Sequence, residues 1–100
     1  MEYFLIGIKG SGMASLALIL QDQGNIVSGS DISQHIFTED ELRTRRISIY
    51  EFNPVNIKPG MIIVKGNSFD ENHPEVKTAV EMGLKIYSYV EMLQLLIDKY

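Results

Sequence analysis

The stretch Tyr3-Phe4-Leu5-Ile6-Gly7-Ile8-Lys9-Gly10-Ser11-Gly12-Met13 limits what this chain can fold into more than any other. An apolar run breaks into a glycine-rich turn, and apolar residues then recur at helical spacing through Met13, Leu16, Ala17 and Leu20. The pattern reads as strand, tight loop, helix. Such a loop points successive backbone N–H groups and the positive end of a helix dipole at one place, which makes an anion site and most often a phosphate site. Nucleotide binding is the first expectation.

The rest of the chain repeats the alternation. Gly24 stops the first helix, set at about Ser11 to Gln23. Asn25 to Asp31 is a β-favouring run ending in small residues and a carboxylate, expected as a second strand that opens on a ligand-sized gap. Thr38 and Glu41 have the spacing of a capping box, with Arg43, Arg45 and Arg46 near the end of the helix it would start. Ile47 to Phe52 alternates as a third strand. Beyond Pro54, Pro59 and Gly60, the run Met61-Ile62-Ile63-Val64 has the continuous apolar character of a buried parallel strand, and it opens at Lys65-Gly66-Asn67-Ser68.

Pro74 suits the first turn of a third helix, with Val76, Ala79 and Val80 facing inward and Gly83 ending it. Leu84 to Tyr87 is a fifth strand. Ser88 and Glu91 form a second capping box, and Val90, Leu93 and Ile97 make the inner stripe of a last helix running to the end of the chain. Strands alternating with helices give an α/β fold, a Rossmann-like five-stranded parallel sheet with helices on both faces. Ligands of such sheets sit beyond the carboxyl ends of the strands, where strand order reverses. The glycine loop, the mouth at Asp31 and the mouth at Asn67 all fall there.

One hundred residues make a single domain, long enough to bury roughly two-thirds of its unfolded surface. The absence of cysteine removes disulfides, thiolate metal sites and thiol nucleophiles, and it suits a cytoplasmic setting. The apolar run at Tyr3 to Ile8 is too short to span a membrane and lacks a basic flank, so neither a membrane partner nor a targeting segment is expected. A net charge of −4 argues against non-specific nucleic-acid binding, which relies on positive charge to release counterions. Phosphate contacts therefore have to be local.

In the loop, Gly10 and Gly12 would allow close backbone approach to a diphosphate, or simply supply the angles of a strand-to-helix turn. Lys9 stands where a dinucleotide fingerprint has its second glycine, which weakens an NAD reading. Its ammonium would either reach a phosphate or lie solvated at the surface. Asp31, about 20 residues past the loop, suits a ribose hydroxyl or a base N–H, or else a turn in which it bonds its own backbone. Asn67 and Ser68 would bond a sugar or base, or shape a turn. His73 reads as a helix-entry residue and His35 has no partner at a telling spacing, so no catalytic or metal-binding residue is expected. The arginine cluster is assigned to a helix C-terminus, and Met13, Met82 and Met92 to core filling.

Gly7-Ile8-Lys9-Gly10-Ser11-Gly12-Met13-Ala14 followed by Val27-Ser28-Gly29-Ser30-Asp31, with Phe37-Thr38, Gly66-Asn67-Ser68-Phe69 and His73-Pro74-Glu75, resembles the N-terminal domain of the Mur ligases. These enzymes build the peptidoglycan stem peptide, and the likeness is to the subgroup with Gly-Ile-Lys-Gly in place of Gly-Ile-Gly-Gly. It covers essentially the whole chain. The resemblance implies that residues 1–100 are one domain of a three-domain ligase. This domain would bind UDP-N-acetylmuramate, and the central ATPase and C-terminal domains would lie outside these residues.

The full-length enzyme would use ATP and Mg2+ to add L-alanine to that nucleotide. Its partners would be UDP-N-acetylmuramate and the remaining domains of the same ligase, with no cofactor on this domain. By the same resemblance the Gly10 to Met13 turn, with Ser11 and Gly12 between, would hold the diphosphate, with Lys9 counted among the binding residues. Asp31 and Ile32 would contact the uridine, and the Gly66 to Ser68 mouth, with Asn67 and Ser68, would complete the nucleoside pocket. The family's ATP-binding segment, Gly-Thr-x-Gly-Lys-Thr, does not occur in the 100 residues. The competing readings are an NAD(P)-binding Rossmann module of a dehydrogenase or sensor, and a sister ligase that attaches a tripeptide to the same nucleotide.

Overall fold

Successive side chains of a strand point to opposite faces of its sheet, and in the first strand both sets are apolar. Phe4 and Ile6 enter one hydrophobic cluster and Leu5 the other, so this strand is covered on both sides. The computed structural model describes residues 1–99. Its strands are β1 (Glu2–Ile6), β2 (Ile26–Asp31), β3 (Ser48–Glu51), β4 (Met61–Lys65) and β5 (Lys85–Ser88). Its helices are α1 (Ser11–Asp22), α2 (Glu39–Thr44), α3 (Pro74–Glu81) and α4 (Tyr89–Lys99), and a short 3-10 turn at Pro54–Asn56 stands between β3 and β4. The strands lie in the order β3-β2-β1-β4-β5, all parallel, as the expected fold requires.

Connection handedness explains which helix covers which face. From β1 the chain steps outward through β2 to β3, then returns across β1 to β4 and steps the other way to β5. Right-handed crossovers that travel in opposite directions put their connections on opposite faces. Accordingly Leu16, Ala17 and Leu20 of α1 and Leu42 of α2 pack with Leu5, Val27 and Val64; α4 follows the edge strand β5 without a crossover to a further described strand, and its Met92 and Leu96 join the same cluster. Val76 and Ala79 of α3, with Ile57 of the return crossover, pack with Phe4, Ile6, Met61 and Ile63 on the other face.

Two expected helix faces are corrected. In α4 the buried residues are Met92 and Leu96, with Tyr89 packed beside them, whereas Val90 and Ile97 are each 59% exposed. The polar residues Glu91, Gln94 and Asp98 recur at helical spacing on the opposite side, and the stripe expected through Val90 and Ile97 runs along their flank rather than facing away from them. In α3, Val80 is exposed while Val76 and Ala79 are buried, and Met82 is exposed rather than filling the core. The expected run of α4 to the end of the chain includes Tyr100, which lies outside the described residues.

Glu75, in the first turn of α3, is fully buried and joins three segments. Its carboxyl group accepts from the Ser30 hydroxyl of β2 (2.5 Å), the Asn53 amide (3.1 Å) and the Asn56 side chain (2.8 Å). The second capping box forms as expected. Ser88 N–H donates to Glu91 at 2.8 Å, and Glu91 N–H donates to the Ser88 hydroxyl at 3.1 Å. The first does not form. Thr38 is already helical in its backbone and makes no cap bond; its hydroxyl donates instead to the carbonyl of Lys9.

Three helices end in the same paired bonds, in which the residue after the cap donates to the carbonyl three residues back and the next residue to the carbonyl five back. After α1 these come from Gly24 to Gln21 and Asn25 to Leu20, and after α3 from Gly83 to Val80 and Leu84 to Ala79. After α2 they come from Arg46 to Arg43 and Ile47 to Leu42, so Arg46 takes the left-handed place that glycine holds in the other two, at φ 60°. An L side chain there costs about 1–2 kcal/mol. Arg46 is exposed, while Arg43 and Arg45 are spent on Glu39 and Asp22. Arg46→Gly is expected to stabilise the fold by about 0.5–1 kcal/mol once the added freedom of the unfolded chain is subtracted. Urea unfolding checks this, and an unchanged or lowered midpoint contradicts it.

Candidate functional site

β1 and β4 are neighbours whose following connections diverge to opposite faces, so their carboxyl ends leave a gap at Gly7 and Gly66. The gap is a cleft of about 540 Å³. Its walls are the glycine turn, Asp31, the loop Ile36-Phe37-Thr38, and the segment from Gly66 to Phe69. A narrower hollow of about 230 Å³ continues it past Gly12 to Tyr89, sharing Gly10, Ser11, Met13, Gly66 and Asn67. Lys9, Gly10, Ser11, Met13, Asp31, Asn67 and Ser68, all expected at the site, line the wider part, and Gly12 lines the narrower. Ile32 lines neither; its side chain is exposed.

The turn owes its shape to a few contacts. Gly7 has φ +86°, and a Cβ on it would lie 2.5 Å from the ring of Phe69, so the position excludes side chains on two counts. The amides of Gly7 and Ile8 both donate to Ser30 O, at 2.9 and 3.1 Å, which closes the turn against β2. Helix α1 then starts at Gly10, which offers no side chain to cap it. Gly10 O accepts from Ala14 N at 2.7 Å, while no acceptor among the described residues meets the amides of Ser11, Gly12 and Met13. The first turn holds no acidic residue either. Three open donors and an uncompensated dipole therefore face the cleft, the physical requirement for holding an anion.

Gly12 also has to be small for a reason inside the fold. A Cβ there would lie 2.9 Å from Cζ and the hydroxyl of Tyr89, so it is the Tyr89 ring that comes close to Gly12. The small residues of β2 are likewise used inside the fold. Gly29 makes room for Ile8, whose side chain would lie 2.8 Å from a Cβ, and Ser30 is bound to Glu75. Of that strand's small polar end, Asp31 is the residue that reaches the cleft.

Lys9 is not a solvated surface residue: it is 3% exposed. Its ammonium donates to Ile32 O at 2.9 Å and Gln34 O at 3.0 Å, and pairs with Glu39 at 3.1 Å. An ammonium has three N–H groups, so these three acceptors use all of them. Asp31 completes the lock from the other side. Its Oδ2 accepts from Lys9 N–H and its Oδ1 from Ile32 N–H, both at 2.8 Å. Loop, strand end and the segment after it are thus tied together through one lysine and one aspartate. Of the residues lining the cleft, Lys9 alone is cationic, and its charge is spent internally. Any anion there meets neutral donors.

Other residues around the site serve its walls. Phe69 packs edge-on against Phe52 and His73, with centroids 5.5 and 5.0 Å away. His73 takes the helix-entry place expected of it, its Nδ1 accepting from Glu75 N–H at 3.2 Å. His35 does have a partner, Asp40 at 2.9 Å, but the pair is exposed and far from a catalytic arrangement. No group of three or more metal-binding side chains occurs among the described residues, and no helix is long and apolar enough to cross a membrane. Sequence reasoning did not single out Ile36, Phe69 or Tyr89 as cleft residues. Tyr89 directly follows β5, and knowing that β5 borders β4 would have revealed it.

Glu39 carries the charge that holds Lys9, and its own surroundings keep it ionised. The Arg43 side chain first, then the Ile36 amide, then Lys9 lower its pKa from the ordinary 4.5 to about 2, against the opposing effect of burial. The folded chain therefore binds this proton more weakly than the unfolded chain. The stabilisation is complete above pH 4.5 and is lost as the pH falls towards 2. Glu39→Gln is expected to lower the urea midpoint at neutral pH and to flatten its fall between pH 4.5 and 2. An acid limb of the same steepness in the variant contradicts this.

With the geometry in place, comparison with known proteins gives a consistent result. The model for the Mur ligase family, catalytic domain, matches residues 2–100. UDP-N-acetylmuramate–L-alanine ligase of Limosilactobacillus reuteri is 54% identical over 92 residues, which is 92% of this chain and 21% of that protein. The enzyme of the same name from Lacticaseibacillus casei is 52% identical over 98 residues, or 98% and 22%. The chain thus spans about a fifth of the curated relatives it matches. Among solved structures, UDP-N-acetylmuramate-alanine ligase from Thermotoga maritima superposes with a TM-score of 0.91 at 24% identity, over 99% of this chain and 23% of that one, a likeness of fold. A murein peptide ligase from Psychrobacter arcticus gives 0.86 at 26% identity, over 94% and 20%. A family model matched along nearly the whole length, on a sheet of the same topology and with the glycine turn at its switch point, shows that this chain belongs to the Mur ligase family.

Proposed function

We propose that residues 1–100 form the UDP-N-acetylmuramate-binding domain of a cytoplasmic ligase that adds L-alanine to that nucleotide in peptidoglycan synthesis. The observation that carries this reading is the row of open amides at Ser11, Gly12 and Met13, set at the switch point of a chain more than half identical to two L-alanine ligases. The diphosphate rests on those amides, with the α1 dipole behind it. The uridine lies in the wider cleft, where Asp31 retains lone pairs beyond the two used on Lys9 and Ile32 and can accept from a ribose hydroxyl or the base N–H. Asn67 and Ser68, exposed at the opposite wall, supply side-chain donors and acceptors to the nucleoside. Lys9 acts by holding the turn in shape.

ATP and Mg2+ belong to the ligase's other domains, which are the partners of this one. The described residues hold no cluster suited to a metal, and the ATP-binding segment does not occur in the 100 residues. By itself the domain binds substrate and catalyses nothing. The dinucleotide reading is not favoured: Lys9 stands where the fingerprint has its second glycine, and the relatives are ligases.

Calorimetric titration of the chain with UDP-N-acetylmuramate, UDP, NAD and ATP tests the proposal. Saturable binding of both uridine ligands, each displacing the other, with no saturable heat from NAD or ATP, is expected. NAD binding that UDP cannot displace, or no binding of either uridine ligand, overturns it.

A further inference from the structure

An anion in this cleft has no free cation to meet, so its affinity has to come from neutral donors. Besides the backbone amides, one buried-edge side chain is placed to supply such a donor. Tyr89 is the first residue of α4, and the reciprocal bonds between Ser88 and Glu91 fix where that helix begins. Its ring packs against the α1 face of the core, and its hydroxyl comes to 2.9 Å from where a Cβ on Gly12 would lie, at the mouth of the open amides. Tyr89 also lines the narrower hollow with Ser11, Gly12 and Asn67. Its hydroxyl has no hydrogen-bond partner among the described residues, although a half-buried phenol ordinarily finds one.

We propose that Tyr89 is a ligand-binding residue whose hydroxyl donates a hydrogen bond to the diphosphate held on the α1 amides. The assignment rests on the nucleotide reading above and deepens it. It also sets the direction of the ligand. With the nucleoside in the wide cleft and the diphosphate between Gly12 and Tyr89, the sugar leaves through the narrower hollow, past α4. Gly12 then has a purpose at this site as the residue small enough to let a phenol stand beside the phosphate donors.

Tyr89→Phe removes the hydroxyl and keeps the ring on Gly12. Amide-resolved NMR titrations of the native chain and this variant with UDP and with uridine separate the possibilities, the thermal midpoint being measured alongside. The expected result is UDP binding about tenfold weaker in the variant, the loss of one hydrogen bond to a charged group, with uridine affinity and the midpoint unchanged. Equal UDP affinity in both proteins overturns the role of Tyr89 and leaves the nucleotide reading standing. An equal loss for UDP and uridine overturns it too, because a contact to diphosphate cannot weaken a ligand that has none. Failure of UDP to bind the native chain overturns the nucleotide reading and this assignment together.

Discussion

The ammonium of Lys9 sits inside a glycine turn, where a positive charge would ordinarily be offered to a ligand, and gives all three of its protons to the protein. That choice shapes everything around the cleft. Ile32 and Gln34 are drawn in at the end of β2, Glu39 is held at the start of α2, and Thr38 closes onto the Lys9 carbonyl from the same side. Asp31 clamps the Lys9 amide from β2. A buried charge separated from its partner is strongly unfavourable, so these segments are held together or lost together. The turn is rigid before any ligand arrives, and a preformed anion site pays less ordering entropy on binding.

A site preorganised in this way separates two tasks that a phosphate-binding lysine would combine. The charge secures the scaffold, and in the proposed function the ligand would be met by backbone amides and neutral side chains. Amides aimed from the start of a helix have fixed direction, so under the proposed function they would favour one placement of a diphosphate over any nearby anion. Tyr89, which comes to them from the start of α4, packs where Gly12 has no side chain. The wall opposite is built by Phe69, braced on Phe52 and His73. Phe37 stands 78% exposed at the edge of the cleft, on the loop that Thr38 and Lys9 tie down.

What the sequence revealed and what it concealed divide along physical lines. Strand, turn and α1 were legible because each depends on neighbours within a few residues: apolar run, glycines, helical spacing, and Gly24 as the stop. The capping box at Ser88 and Glu91 was legible for the same reason. Lys9 was not, because its meaning depends on Glu39, thirty residues away, and on the path of the chain between them. Ser30 and Gly29 looked like the edge of a ligand gap, and they serve Glu75 and Ile8, contacts fixed by strand order and crossover. The inner face of α4 was read one residue off: Glu91, Gln94 and Asp98 form a polar stripe at helical spacing opposite Met92 and Leu96, and the inner face expected through the apolar residues Val90 and Ile97 lies on its flank.

The central claim is that this cleft holds a uridine nucleotide on the amides of α1 while Lys9 stays with the protein. A crystal structure of the chain with UDP tests it most directly. The expected result is diphosphate oxygens at about 3 Å from the amides of Ser11, Gly12 and Met13, with the Lys9 ammonium still on Ile32, Gln34 and Glu39. Either of two results would contradict the account. One is a lysine swung out onto the phosphate. The other is UDP seated instead in the 480 Å³ hollow at the opposite end of the sheet, between Tyr3, Asn25 and Leu95.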